Sequence, residues 1–70
     1  MEMIPVESSN IAAVGYDGEE KELRIEFNSG KTYAYQDVPS ELFDGIMEAK
    51  SVGKYFHANI RNGGFGYAEV

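Results

Sequence analysis

The apolar period of this chain changes once, at Pro39, and that change sets the order of its elements. Before it, Leu23-Arg24-Ile25-Glu26-Phe27 alternates strictly, apolar on one side and charged on the other. That is the pattern of a half-buried strand. After it, apolar residues fall at Leu42, Phe43, Ile46, Met47 and Ala49, then at Val52, Tyr55, Phe56 and Ile60, which is helical spacing. Strands first and helices after indicate an α+β domain. The expected architecture is a three-stranded antiparallel meander followed by two helices packed on one face, a two-layer βββαα order.

The flanks give the boundaries. Residues 1–10 read as an extended lead-in, because Pro5 and the Ser8-Ser9-Asn10 cluster oppose helix. Ile11 to Tyr16 reads as a first strand, Leu23 to Phe27 as the second and Lys31 to Gln36 as the third, with polar turns at Asp17–Lys21 and Asn28-Ser29-Gly30. Pro39 suits a helix start and Glu41 its positive dipole end. Gly45 falls on the polar face of that helix and weakens it by ~1 kcal/mol relative to Ala. Ser51 is the expected N-cap of the second helix, which Asn62-Gly63-Gly64 stops. The domain proper thus spans residues 11–61, and residues 62–70 form a Gly/aromatic tail whose Phe65 or Tyr67 folds back onto the core.

Seventy residues make one domain. A chain of this size buries only ~60% of the surface its unfolded form exposes, so the core is thin. With no Cys in the sequence, packing rather than disulfides must hold it. The first residues carry an acid and no long apolar run, unlike a signal peptide or a membrane span, and with no Cys this points to the cytoplasm.

The hairpin at Asn28-Ser29-Gly30 decides which way Tyr33 and Tyr35 point. A three-residue loop with Gly30 left-handed pairs Phe27 with Lys31, Ile25 with Tyr33 and Leu23 with Tyr35, which puts both tyrosines on the core face. A two-residue loop pairs Phe27 with Thr32 and turns both tyrosines outward beside Arg24 and Glu26. Gly at the third loop position favours the first register.

Net charge is −6, against the basic balance usual in nucleic-acid-binding domains. Its distribution is uneven. Residues 1–50 hold four Lys/Arg against eleven Asp/Glu, whereas residues 51–70 hold two against one. An anion-binding surface is therefore expected in the last twenty residues. There, Lys54, His57 and Arg61 are spaced i, i+3 and i+7, one outward stripe if Val52, Tyr55, Phe56 and Ile60 face inward. Such donors can contact phosphates or carboxylates; equally, late basic residues complement a helix dipole. Glu41, Asp44 and Glu48 on the first helix form an opposite, acidic ridge, either a surface for a basic protein partner or a solubilising face.

Catalysis has little support. No Cys nucleophile exists, Ser8 and Ser9 lack a nucleophile-elbow context, and one His without Cys argues against zinc. Asp17-Gly18-Glu19-Glu20 lacks calcium-loop spacing. No cofactor is expected.

Taken together, Ser8-Ser9-Asn10-Ile11, Gly15-Tyr16-Asp17, Leu23–Phe27, Gly30, Tyr33-Ala34-Tyr35, Val38-Pro39, Ala49, Ser51, Gly53, Tyr55-Phe56 and Ile60-Arg61 resemble the KTSC domain family over roughly residues 8–61. That family is named after the C-terminal end of some lysyl-tRNA synthetases and also occurs as short freestanding bacterial proteins. The resemblance implies no enzymatic activity that can be carried over. It implies an RNA-binding role, with the family's Tyr-x-Tyr at Tyr33 and Tyr35 and its late Ile-Arg at Ile60 and Arg61. The chain departs from the family after Arg61, where no further Lys or Arg follows and Glu69 is added. The expected function is a non-catalytic binding module. RNA on the Lys54/His57/Arg61 stripe, with Tyr33 and Tyr35 as stacking candidates, stands first; a protein partner on the acidic helix or a sheet edge stands second.

Overall fold

The computed structural model describes residues 1–70. Its elements are β1 (Met3–Pro5), β2 (Ile11–Asp17), β3 (Glu22–Phe27), β4 (Thr32–Tyr35), α1 (Ser40–Glu48), α2 (Val52–Asn59), a 3-10 turn (Arg61–Gly63) and β5 (Tyr67–Glu69). The strands form one five-stranded sheet in sequential order, every neighbour antiparallel. The meander and the two following helices are as the period change predicts. Two strands are additional. Part of the lead-in pairs with β2, and part of the tail pairs with β4, so residues 1–10 and 62–70 both contribute to the sheet. The physical reason is that β2 and β4 would otherwise expose rows of unpaired backbone groups. Pro5 sits at the end of an edge strand, a position where its missing N–H costs nothing.

The central hairpin adopts the three-residue loop. Gly30 has φ +98°, and the Phe27 amide donates to the Lys31 carbonyl at 2.8 Å. Ile25 faces Tyr33 and Leu23 faces Tyr35, so both tyrosines lie on the helix side of the sheet.

The first strand solves a facing problem. Ile11 and Val14 are three residues apart and would fall on opposite faces of a regular strand. A register shift between Ile11 and Ala13 inserts one residue, and both side chains join the same core. That core gathers Leu23, Ile25 and Tyr35 from the sheet with Val38, Ile46, Val52, Phe56 and Ile60 from the helical half. On the opposite face, Arg24 pairs with Glu22 at 2.5 Å, a partly exposed contact between near neighbours in the strand, of little energetic weight.

The helices are anchored differently. Phe43 of α1 stacks on Tyr16, with ring centroids 5.2 Å apart, and the Tyr16 hydroxyl donates to the Val38 carbonyl at 2.5 Å. Helix α2 begins at Ser51, whose side chain accepts from the Lys54 amide. Its Phe56 ring meets Phe27 and Tyr35 edge-on, each at 5.6 Å.

Gly45 is a correction to the sequence reading. It is half-buried rather than open to solvent, and a Cβ there would overlap the Tyr55 hydroxyl and crowd its ring. The glycine lets Tyr55 of α2 lie against α1. Replacing an exposed helical Gly by Ala gains ~1 kcal/mol, but forcing a methyl into packed side chains costs ~1–3 kcal/mol. Gly45→Ala is therefore expected to lower stability in urea unfolding and to raise it in a Tyr55→Ala background. A stabilised Gly45→Ala single variant would contradict this packing.

Candidate nucleic-acid interface

A cleft of about 920 Å³ opens between α2, the β3–β4 hairpin and the segment before β2. Each wall is held by local chemistry. The Ser8 hydroxyl accepts from the Asn10 and Ile11 amides, both at 3.3 Å, which makes a tight turn of the segment. The Asn28 side chain donates to the Ser8 and Ser9 carbonyls at 3.2 and 3.0 Å, and the Asn28 amide donates to the Asn10 carbonyl at 2.8 Å. The hairpin thus clamps the lead-in. Across from it, α2 approaches at Gly53, where a Cβ would stand in van der Waals contact, 3.4 Å from the Ser8 hydroxyl oxygen. Phe27, Tyr33 and Phe56 supply aromatic surface.

Lys31, Lys50, Lys54 and Arg61 line this cleft with His57, against the single acid Glu7. That is four of the six Lys/Arg in the sequence and one of its twelve Asp/Glu. Low-dielectric walls lined by one sign of charge focus the field, so a chain of net charge −6 still carries a locally cationic recess.

The candidate residues divide accordingly. Lys54, His57 and Arg61 are exposed, as their spacing predicts, and share the cleft with the half-buried Tyr33. Tyr35 is different. It is only 5% exposed and packs on Phe56, which makes its ring scaffold. It lines a smaller recess of about 370 Å³, walled by aromatic rings with Arg61 and Asn62. Burial raises its pKa, the neighbouring Tyr67 hydroxyl adds to this, and the Arg61 guanidinium opposes it. Lys31 and Lys50 were not among the sequence candidates. The hairpin register pairs Lys31 with Phe27 and so carries the signal for its side; Lys50 lies between two helices and had none. The Ser8–Asn10 wall likewise carries no sequence signal beyond that of an extended lead-in.

Glu41, Asp44 and Glu48 are exposed on α1 and line neither recess. Their nearest effect is on Tyr16. Burial raises the Tyr16 pKa first, and the charges of Glu41, Asp17 and Asp44 raise it further. No group of three or more His, Asp or Glu side chains stands where it could hold a metal ion, and no helix is long and apolar enough to cross a membrane.

Comparison with known proteins bears on this geometry. The family model described as the KTSC domain matches residues 7–65. A protein from Tsukamurella paurometabola is 44% identical over 59 residues, 84% of this chain and 88% of its own length. The crystal structure of a KTSC domain protein from Yersinia pestis is 35% identical, with a TM-score of 0.93 over 99% of this chain and 96% of that one. A lysine–tRNA ligase from Nostoc sp. is 35% identical over 68 residues, which span 97% of this chain and 12% of the ligase.

The raised tyrosine pKa values set an alkaline limit. Above pH 10, the ordinary tyrosine value, the unfolded chain releases phenolic protons that folded Tyr16 and Tyr35 retain. Stability from these groups is complete below pH 10 and falls as pH rises towards their native values. Tyr16→Phe is expected to lose ~1 kcal/mol at pH 7 with the Val38 hydrogen bond and to show a shallower alkaline decline. Urea unfolding from pH 7 to above 10 checks this; an equally steep decline in the variant would contradict it.

Proposed function

The chain belongs to the KTSC domain family, and on that premise we propose that it is a non-catalytic module that binds RNA through the cationic cleft. One observation carries the proposal: four of the six Lys/Arg of an acidic chain converge on one aromatic-lined recess. Solvated charge spread for solubility would have no reason to collect there, and phosphate is the anion that such a row of donors fits. The related segment of a lysine–tRNA ligase, a protein whose reaction involves tRNA, supports RNA as the polyanion.

The geometry also bounds the affinity. Four Lys/Arg contacts to single-stranded RNA, at ~0.7 counterions each, give a log–log salt slope of about −3. Binding of that kind is electrostatic, moderate, and strongest at low ionic strength. The acidic face of α1 lies outside the cleft and serves as a control surface.

Fluorescence anisotropy with a labelled single-stranded RNA tests the proposal. The expected result is binding at low salt with a slope near −3. Lys54→Glu combined with Arg61→Glu should weaken it at least tenfold while circular dichroism shows an intact fold. Reversal of Glu41, Asp44 and Glu48 to Lys should not weaken it. Binding that survives the Lys54/Arg61 reversal would sink the cleft as the RNA site. Loss of a co-purifying protein partner on reversing the α1 acids, with no RNA bound, would favour protein docking instead.

A further inference from the structure

We infer that the cleft takes single-stranded RNA and that one unstacked base enters the smaller tyrosine-walled recess beside Arg61. This rests on the reading of the cleft as an RNA site and narrows its ligand. The two recesses adjoin: Phe27, Tyr33, Phe56 and Arg61 line both. A chain whose phosphate lies on Arg61 therefore has the second recess within reach of the attached base. That recess holds about 370 Å³, and its only polar side chains besides the tyrosines are Arg61 and Asn62. A phosphate has no use for such aromatic walls, whereas every base has a flat face that stacks on them.

Tyr67 gives the second observation. The residue is 65% exposed, so the fold leaves much of its surface uncovered. It stands at the recess between Tyr33, at 6.1 Å and 72°, and Tyr35, at 5.3 Å and 30°. A base sliding against it covers apolar surface that the folded chain leaves open. The Arg61 guanidinium, with five donors in a fork, and the Asn62 amide supply hydrogen bonds to a base edge or its phosphate. Duplex RNA cannot use this recess, because its bases are stacked and paired and it presents mainly phosphates and 2′-hydroxyls.

The experiment compares three RNAs of equal length by anisotropy at one ionic strength: a single strand, the same strand with abasic sites, and a blunt duplex. The single strand is expected to bind about tenfold tighter than the abasic strand, in line with stacking of one base. Tyr67→Ala should bring the single strand down to the abasic level and leave abasic and duplex binding unchanged, while Tyr67→Phe should retain the preference. Equal binding of all three RNAs would overturn the base recess and leave the phosphate-binding reading standing. A Tyr67→Ala variant that loses all three would assign Tyr67 to the scaffold and also overturn it. Absence of binding to any RNA would remove the RNA reading itself, and this inference with it.

Discussion

The position of the Phe56 ring governs the functional side of this molecule. It sits edge-on against Phe27 from one strand and Tyr35 from the next, at 5.6 Å from each. Edge-to-face pairs of this kind add ~0.5–1.5 kcal/mol each beyond area burial, and they fix rotation as well as distance. With Phe56 inward, Lys54, His57 and Arg61 have only the outer arc of α2 and its continuation to occupy. The same ring lines both recesses. The contact that seats the helix is therefore also the surface over which a ligand would lie.

Charge placement then separates the two helices. Glu41 and Asp44 of α1 lie towards Tyr16, where they reinforce the neutral phenol, and the bases collect over the hairpin and α2. At physiological ionic strength exposed charges are screened within ~8 Å. The net charge of −6 thus weighs less on a bound phosphate than the few cations beside it. Whole-chain charge describes solubility and long-range steering, whereas the cleft composition describes contact.

The meander, its register and the inward stripe of α2 were legible in the sequence because each rests on a local rule. Alternation gave β3, Gly30 fixed the loop, and Ser51 with Val52, Phe56 and Ile60 gave α2. The remaining features rest on distant partners. Met3–Pro5 and Tyr67–Glu69 are too short to show a period and exist as strands only because β2 and β4 have edges to fill. Gly45 looks like a helix weakness until Tyr55 is placed beside it. Of the site, the stripe was readable from spacing, but Lys31, Lys50 and the Ser8–Asn10 wall join it only through tertiary clamps such as Asn28 on Ser8 and Ser9. Tyr33 and Tyr35, equivalent in the sequence, part company in depth: one lines the cleft and the other supports it.

The most direct test of this account is an NMR map of the isotopically labelled protein titrated with a short single-stranded RNA at low salt. The account predicts progressive shifts at Lys31, Lys50, Lys54, His57 and Arg61, with ring-proton shifts at Tyr33 and Tyr67 and little change along α1. Shifts confined to Glu41, Asp44 and Glu48, or a spectrum unmoved by RNA, would contradict it.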